Sequence, residues 1–138
     1  MPITSVYVDG FNLFYGALRR TPHRWLDIDR WCRLLLPNND IQTIKYFTAL
    51  VSERPGDPDQ PVRQQLYLRA LNTLPTVSLH LGHFLSHKVT MLKVVPPSQA
   101  LLPHLDFIKS IRAGALSAAQ FPDQLTDRHG AFSKPTGW

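Results

Sequence analysis

An aspartate, Asp9, stands where a run of β-branched and apolar residues, ITSVYV over 3–8, gives way to Gly10, Phe11 and Asn12. If the run is a strand, Asp9 lies at its carboxyl end, where ligands gather in open parallel sheets. With Gly10 permitting close approach and Asn12 offering an amide oxygen one turn on, such a carboxylate can hold magnesium or manganese, hard cations that take oxygen ligands. The same carboxylate can instead accept backbone amides at a helix start. Residue types alone leave both roles open.

Other chemistry-bearing residues carry weaker patterns. Arg63 and Arg69, with Gln64 and Gln65, can present nucleic-acid-binding groups from one helix to RNA phosphates, or form an ordinary solvated face. Phe11, Phe14 and Tyr15 can stack on bases, though core packing is the expected role for at least two of them. His80, His83 and His87 recur in HLGHFLSH, but in a strand His80 and His83 point to opposite faces, so a shared ion is not expected. Cys32 stands alone, which excludes a disulfide framework or a cysteine-rich zinc site. No spacing supports a Ser-His-Asp triad. A phosphatase using Asp9 as nucleophile would need a second aspartate two positions on, where Phe11 stands.

The chain of 138 residues is the length of one domain, with 15 Lys and Arg against 10 Asp and Glu, a formal charge of +5. That excess favours a polyanion such as RNA, although the arginines are scattered. The N-terminus lacks a signal-peptide pattern and no run approaches the ~20 apolar residues that span a bilayer. A soluble, cytoplasmic protein with no membrane association is expected.

The elements that must position these residues follow from periodicity. ITSVYV reads as a strand buried on both faces. NLFYGALRR follows as a short helix, and LDIDRWCRLLL as a second, with Leu26, Trp31, Leu34 and Leu35 on one face and Asp27 or Asp29 capping it. DIQTIKYFTALV is the next strand, ERPGDPDQP a surface loop, and PVRQQLYLRALNTL (61–74) a helix with Val62, Leu66, Ala70, Leu71 and Leu74 on one side. TVSLHLGHFL alternates as a strand. The order implies an α/β domain with a parallel sheet. HKVTMLKVV suggests a hairpin arm or a short strand, PPSQALLP a connector, HLDFIKSIRAGALSAAQF a helix, and PDQLTDRHGAFSKPTGW a loosely ordered end.

VYVDGFNLFYGAL resembles the opening signature of the NYN domain family of PIN-like ribonucleases. The likeness continues through WLDIDRWCRLLLP, IKYFTALV, PGDPDQPVRQQLYLRAL and VSLHLGHF, roughly residues 3 to 97. It implies a Rossmann-like (PIN-like) three-layer domain with a mostly parallel sheet, whose acidic cluster binds magnesium or manganese and activates water to cut RNA. By that resemblance residues 1–97 are the N-terminal part of the domain and 98–138 a divergent tail, partly helical and then irregular. Asp9 matches the first metal-binding aspartate, and Asn12 the signature asparagine; these two are the expected catalytic residues.

The resemblance also shows what is missing. The family's KGSDV-like and SNDSD-like acidic segments are absent, Lys109 is the last matching residue, and Asp106, Asp123 and Asp127 stand in neither motif. A shifted reading frame or premature stop in a longer gene would explain a truncated or divergent C-terminus. Two-metal hydrolysis needs several carboxylates to hold the ions about 3.5–4 Å apart, so metal binding is expected to be weak or absent and cleavage impaired. A non-catalytic RNA-binding or interaction module is the alternative. If the first strand is central, as the family implies, loss of later strands leaves its edge uncovered and open to self-association.

Overall fold

The computed structural model describes residues 1–82 and 111–138. The expectations for His83, His87, Asp106, Lys109 and the segments between them lie outside the described residues. β1 (Ile3–Asp9) forms where its β-branched run predicts. It ends because the Asp9 carboxylate caps α1 (Gly10–Leu13), accepting from the Asn12 backbone amide at 3.2 Å. α1 runs into a wider turn, Phe14–Leu18, in which the Arg19 amide reaches back five residues to the Phe14 carbonyl at 2.7 Å. Such widened turns recur at functional sites.

α2 (Ile28–Leu35) is capped by Asp27, which accepts from the Arg30 amide at 3.0 Å. Asp29 instead accepts from Arg33 one turn on, at 3.0 Å, and from the Thr76 hydroxyl at 2.8 Å. These bonds outweigh the upward push of partial burial and hold its carboxyl below the usual value. The buried stripe is Ile28, Trp31 and Cys32 with partly buried Leu35. Leu34, expected in it, is exposed, because Ile28, Trp31, Cys32 and Leu35 already complete an i, i+3, i+4, i+7 row.

β2 (Asp40–Ala49) is the middle strand of a parallel sheet ordered β1-β2-β3, with β3 spanning Val77–Gly82. Thr4 pairs with Ile41 and Ser5 with Thr43, so Gln42 is an extra residue that bulges β2. β1, taken as central on family grounds, lies at the edge among the described residues. α3 (Gln60–Asn72) begins with Pro61 in its first turn, where a missing amide costs nothing. Tyr67, Leu68, Ala70 and Leu71 form its buried face. Val62 is exposed; the expected face is therefore turned toward Tyr67, whose ring offers more apolar area to bury and whose hydroxyl donates to Leu26 O at 2.8 Å.

The last segment is more ordered than its composition suggests. Of the expected helix over 104–121, residues 104–110 lie outside the described ones, and the described part forms α4 (Ala113–Ala118). After it, residues 119–121 lie antiparallel to 25–27: the Asp27 amide donates to Ala119 O at 2.7 Å and the Phe121 amide to Trp25 O at 2.9 Å. β4 (Gln124–Asp127) and β5 (Gly130–Ser133) then form an antiparallel hairpin where an irregular end was expected. Its two-residue turn closes on Gly130, whose φ of 111° suits glycine. Leu125 and Phe132, paired across the hairpin, pack on the main core. Four-residue strands are too short for alternation to stand out in sequence.

Trp25 is the centre of that core. It is fully buried, its indole donates to Pro122 O at 2.8 Å, and its ring meets Tyr67, Phe121, Phe132 and Trp138. Val6, Val8, Ile44, Tyr46, Val77 and Leu79 supply the sheet face that packs here. On the opposite face Tyr7 stacks on Phe47, which stacks on His80, and among the described residues Tyr7 and Phe47 stay exposed. The result is a mixed α/β architecture, in which the helices among the described residues pack on the Val6–Ile44–Leu79 face of a three-stranded parallel sheet. No helix among the described residues is long and apolar enough to cross a membrane.

Candidate functional site

Asp9 and Asn12 are brought together as a local pair. Asn12 donates to one Asp9 oxygen through its backbone amide at 3.2 Å and to the other through its side-chain nitrogen at 2.8 Å. Both carboxylate oxygens are thus engaged in starting α1. Behind them, Gly10 lies against Tyr46: a Cβ built on Gly10 would stand 2.5 Å from Tyr46 Cζ. Burial, and then the Asp9 charge, push the Tyr46 phenol well above its ordinary pKa, so it stays a neutral donor.

A metal centre requires more than this pair. Among the described residues no three His, Cys, Asp or Glu side chains are grouped so as to hold an ion. Asp127 is engaged by Arg69 at 2.9–3.0 Å, and Asp123 borders a separate hollow beside Lys134. That donor set does not fit a two-ion centre.

What the strand ends do build is a basic, aromatic cleft. It lies between the wide turn after α1, the carboxyl end of β2, the Arg54–Asp57 turn and the start of α3, with a volume of about 230 Å³. Gly10 and Phe11 place it directly beside Asp9. Among the described residues its walls carry the rings of Phe11, Phe14, Tyr15, Tyr46, Tyr67 and Trp138 and the side chains of Arg19, Arg24, Arg54 and Arg63, against one carboxylate, Asp57. Arg63 pairs with Asp57. Arg24 donates to Gly137 O and lies over the Trp138 ring at 5.7 Å, and Arg19 lies over Tyr15 at 5.3 Å. Gln64 fixes the wall, donating to Ala49 O at 2.8 Å and accepting from the Val51 amide at 2.9 Å.

Such a hollow suits a flat ligand bearing negative charge: rings supply stacking surface and the guanidiniums forked donors for phosphate or carboxylate. Of the two arginines expected to meet RNA, Arg63 lines the cleft. Arg69 does not; it makes a bidentate pair with Asp127 and covers Phe132 at 4.2 Å, fastening the hairpin to α3. Phe11, Phe14 and Tyr15 border the cleft; Phe14 also packs against the core beside the buried Leu13 and Leu18. Sequence reasoning missed Arg19, Arg24, Arg54, Tyr46 and Trp138, which converge from distant segments with no shared spacing. The one local signal was the Arg54-Pro55-Gly56-Asp57 turn.

No family model matches the chain, and no solved structure matches it. The chain is similar to 6-hydroxy-3-succinoylpyridine 3-monooxygenase of Pseudomonas putida, with 32% identity over 113 aligned residues that cover 68% of this chain and 36% of that protein. It therefore spans about a third of the length of the relative it matches.

Proposed function

We propose that this chain is an RNA-handling domain of the NYN, PIN-like ribonuclease type, with a Rossmann-like three-layer arrangement, in which phosphodiester cleavage is impaired. The observation that carries the reading is the position of Asp9 at the end of β1, beside a cleft with four arginines, one acid and a ring of aromatic side chains. The guanidiniums bind phosphate and the rings stack on bases, a combination that holds single strands with little regard to sequence. Magnesium or manganese, where bound, would supply an activated water. Among the described residues Asp9 alone of the expected acids stands beside the cleft, so binding outlasts hydrolysis.

The test is a fluorescent single-stranded RNA incubated with the protein in manganese, alongside Asp9→Asn. RNA binding with only weak manganese-dependent cleavage, and loss of that residual cleavage but not of binding in Asp9→Asn, fits the proposal. Absence of RNA binding at low salt would sink it.

A second reading is favoured by the similarity to a pyridine monooxygenase. The same cleft could take an aromatic acid, ring against Tyr46 and Tyr67 and carboxylate on Arg54 or Arg63. Quenching of tryptophan fluorescence by 6-hydroxy-3-succinoylpyridine, with no response to RNA, would select it.

A further inference from the structure

Phe11, Tyr15, Val51 and Arg54 line two hollows at once. One is the cleft described above; the other shares these four residues and is bordered also by Leu50, Ser52 and Glu53. Phe11 and Tyr15 are near-parallel, 5° apart in plane with centroids 6.0 Å apart, so they stand as one aromatic ridge between the hollows. Arg54 is set on that ridge by a tight turn, in which the Asp57 amide donates to Arg54 O at 2.9 Å across Pro55 and Gly56. The Arg54 side chain is exposed.

We propose that this groove is a two-subsite one, taking two successive nucleotides of a single strand on either side of the Phe11–Tyr15 ridge, with Arg54 on the phosphate that joins them. This rests on the RNA reading of the cleft and adds the register. The charge distribution argues for a strand. Among the described residues the inner hollow carries Arg19, Arg24 and Arg63 against Asp57, whereas the outer one adds no cation beyond Arg54 and brings Glu53. A lone anion would be satisfied wholly in the inner hollow. A linked pair of nucleotides uses both hollows and needs a cation at the ridge, where Arg54 stands.

Equilibrium binding of uridine 5′-monophosphate and of the dinucleotide pUpU, to the full chain and to Arg54→Ala, tests the register. The dinucleotide is expected to bind about tenfold more tightly than the mononucleotide, the gain of one more stacked base and one more phosphate contact. Arg54→Ala should shrink that ratio to about threefold or less, and Arg54→Lys should restore part of it because a point charge remains. Equal affinities for the two ligands, or a ratio untouched by Arg54→Ala, overturns the two-subsite register while leaving nucleotide binding standing. If neither ligand nor longer RNA binds, both this inference and the RNA reading fall. Arg54 has an exposed side chain, and circular dichroism of the variants checks that they fold.

Discussion

Gly10 and Tyr46 are matched so closely that any side chain on the first would collide with the ring of the second, at 2.5 Å from Cζ and 2.6 Å from the hydroxyl oxygen. The residue after Asp9 is therefore fixed by a buried tyrosine on the neighbouring strand as much as by any ligand.

Gly10→Ala should destabilise the fold by about 1–3 kcal/mol, the usual cost of overpacking a filled interior. Adding Tyr46→Phe to Gly10→Ala should not relieve it, since the nearest ring carbon remains. Urea denaturation of the parent, the two single variants and the double variant measures both effects.

The Asp9 cap separates structure from chemistry. Asp9→Ala should cost about 1 kcal/mol and Asp9→Asn much less, because asparagine also caps helix starts. Equal losses in the two variants would show that charge at this site, rather than the capping bond, supports α1.

The Arg69 pair should make the hairpin sensitive to acid. Arg69's guanidinium bonds hold the Asp127 carboxyl down to about 2, while an unfolded aspartate titrates near ~3.9. A lowered folded pKa contributes stability above the unfolded value and loses it as pH falls from there toward about 2. Asp127→Asn should therefore melt below the parent at pH 7, with the gap closing between those limits.

Much of the frame was legible because it rests on local rules. The β-branched run before Asp9, the Pro61 start of α3 and the Asp27 cap each follow from side-chain chemistry over a few residues. Two buried helix faces were misjudged where tertiary packing chose differently: α3 is turned toward Tyr67, and Leu34 is left in solvent. The hairpin was hidden because its strands are short and its inward residues, Leu125 and Phe132, acquire meaning only against Trp25. The cleft was hidden for a related reason. Arg24, Arg54 and Trp138 come from three separate stretches, and only the fold makes them neighbours.

Cys32 should be inert. Burial, with a smaller push from the Asp29 charge, raises its thiol to about 12, so almost no thiolate exists near neutrality. A thiol-reactive dye at pH 8 should label it only after denaturation; rapid labelling of the folded protein would show that α2 opens readily.

The indole of Trp25 is bonded to a carbonyl 97 residues further along the chain. Its burial cannot be completed before Pro122 has been synthesised, whatever Tyr67 shelters earlier. The core therefore closes on contacts far apart in the chain, which slows folding and prolongs the exposure of apolar surface during synthesis.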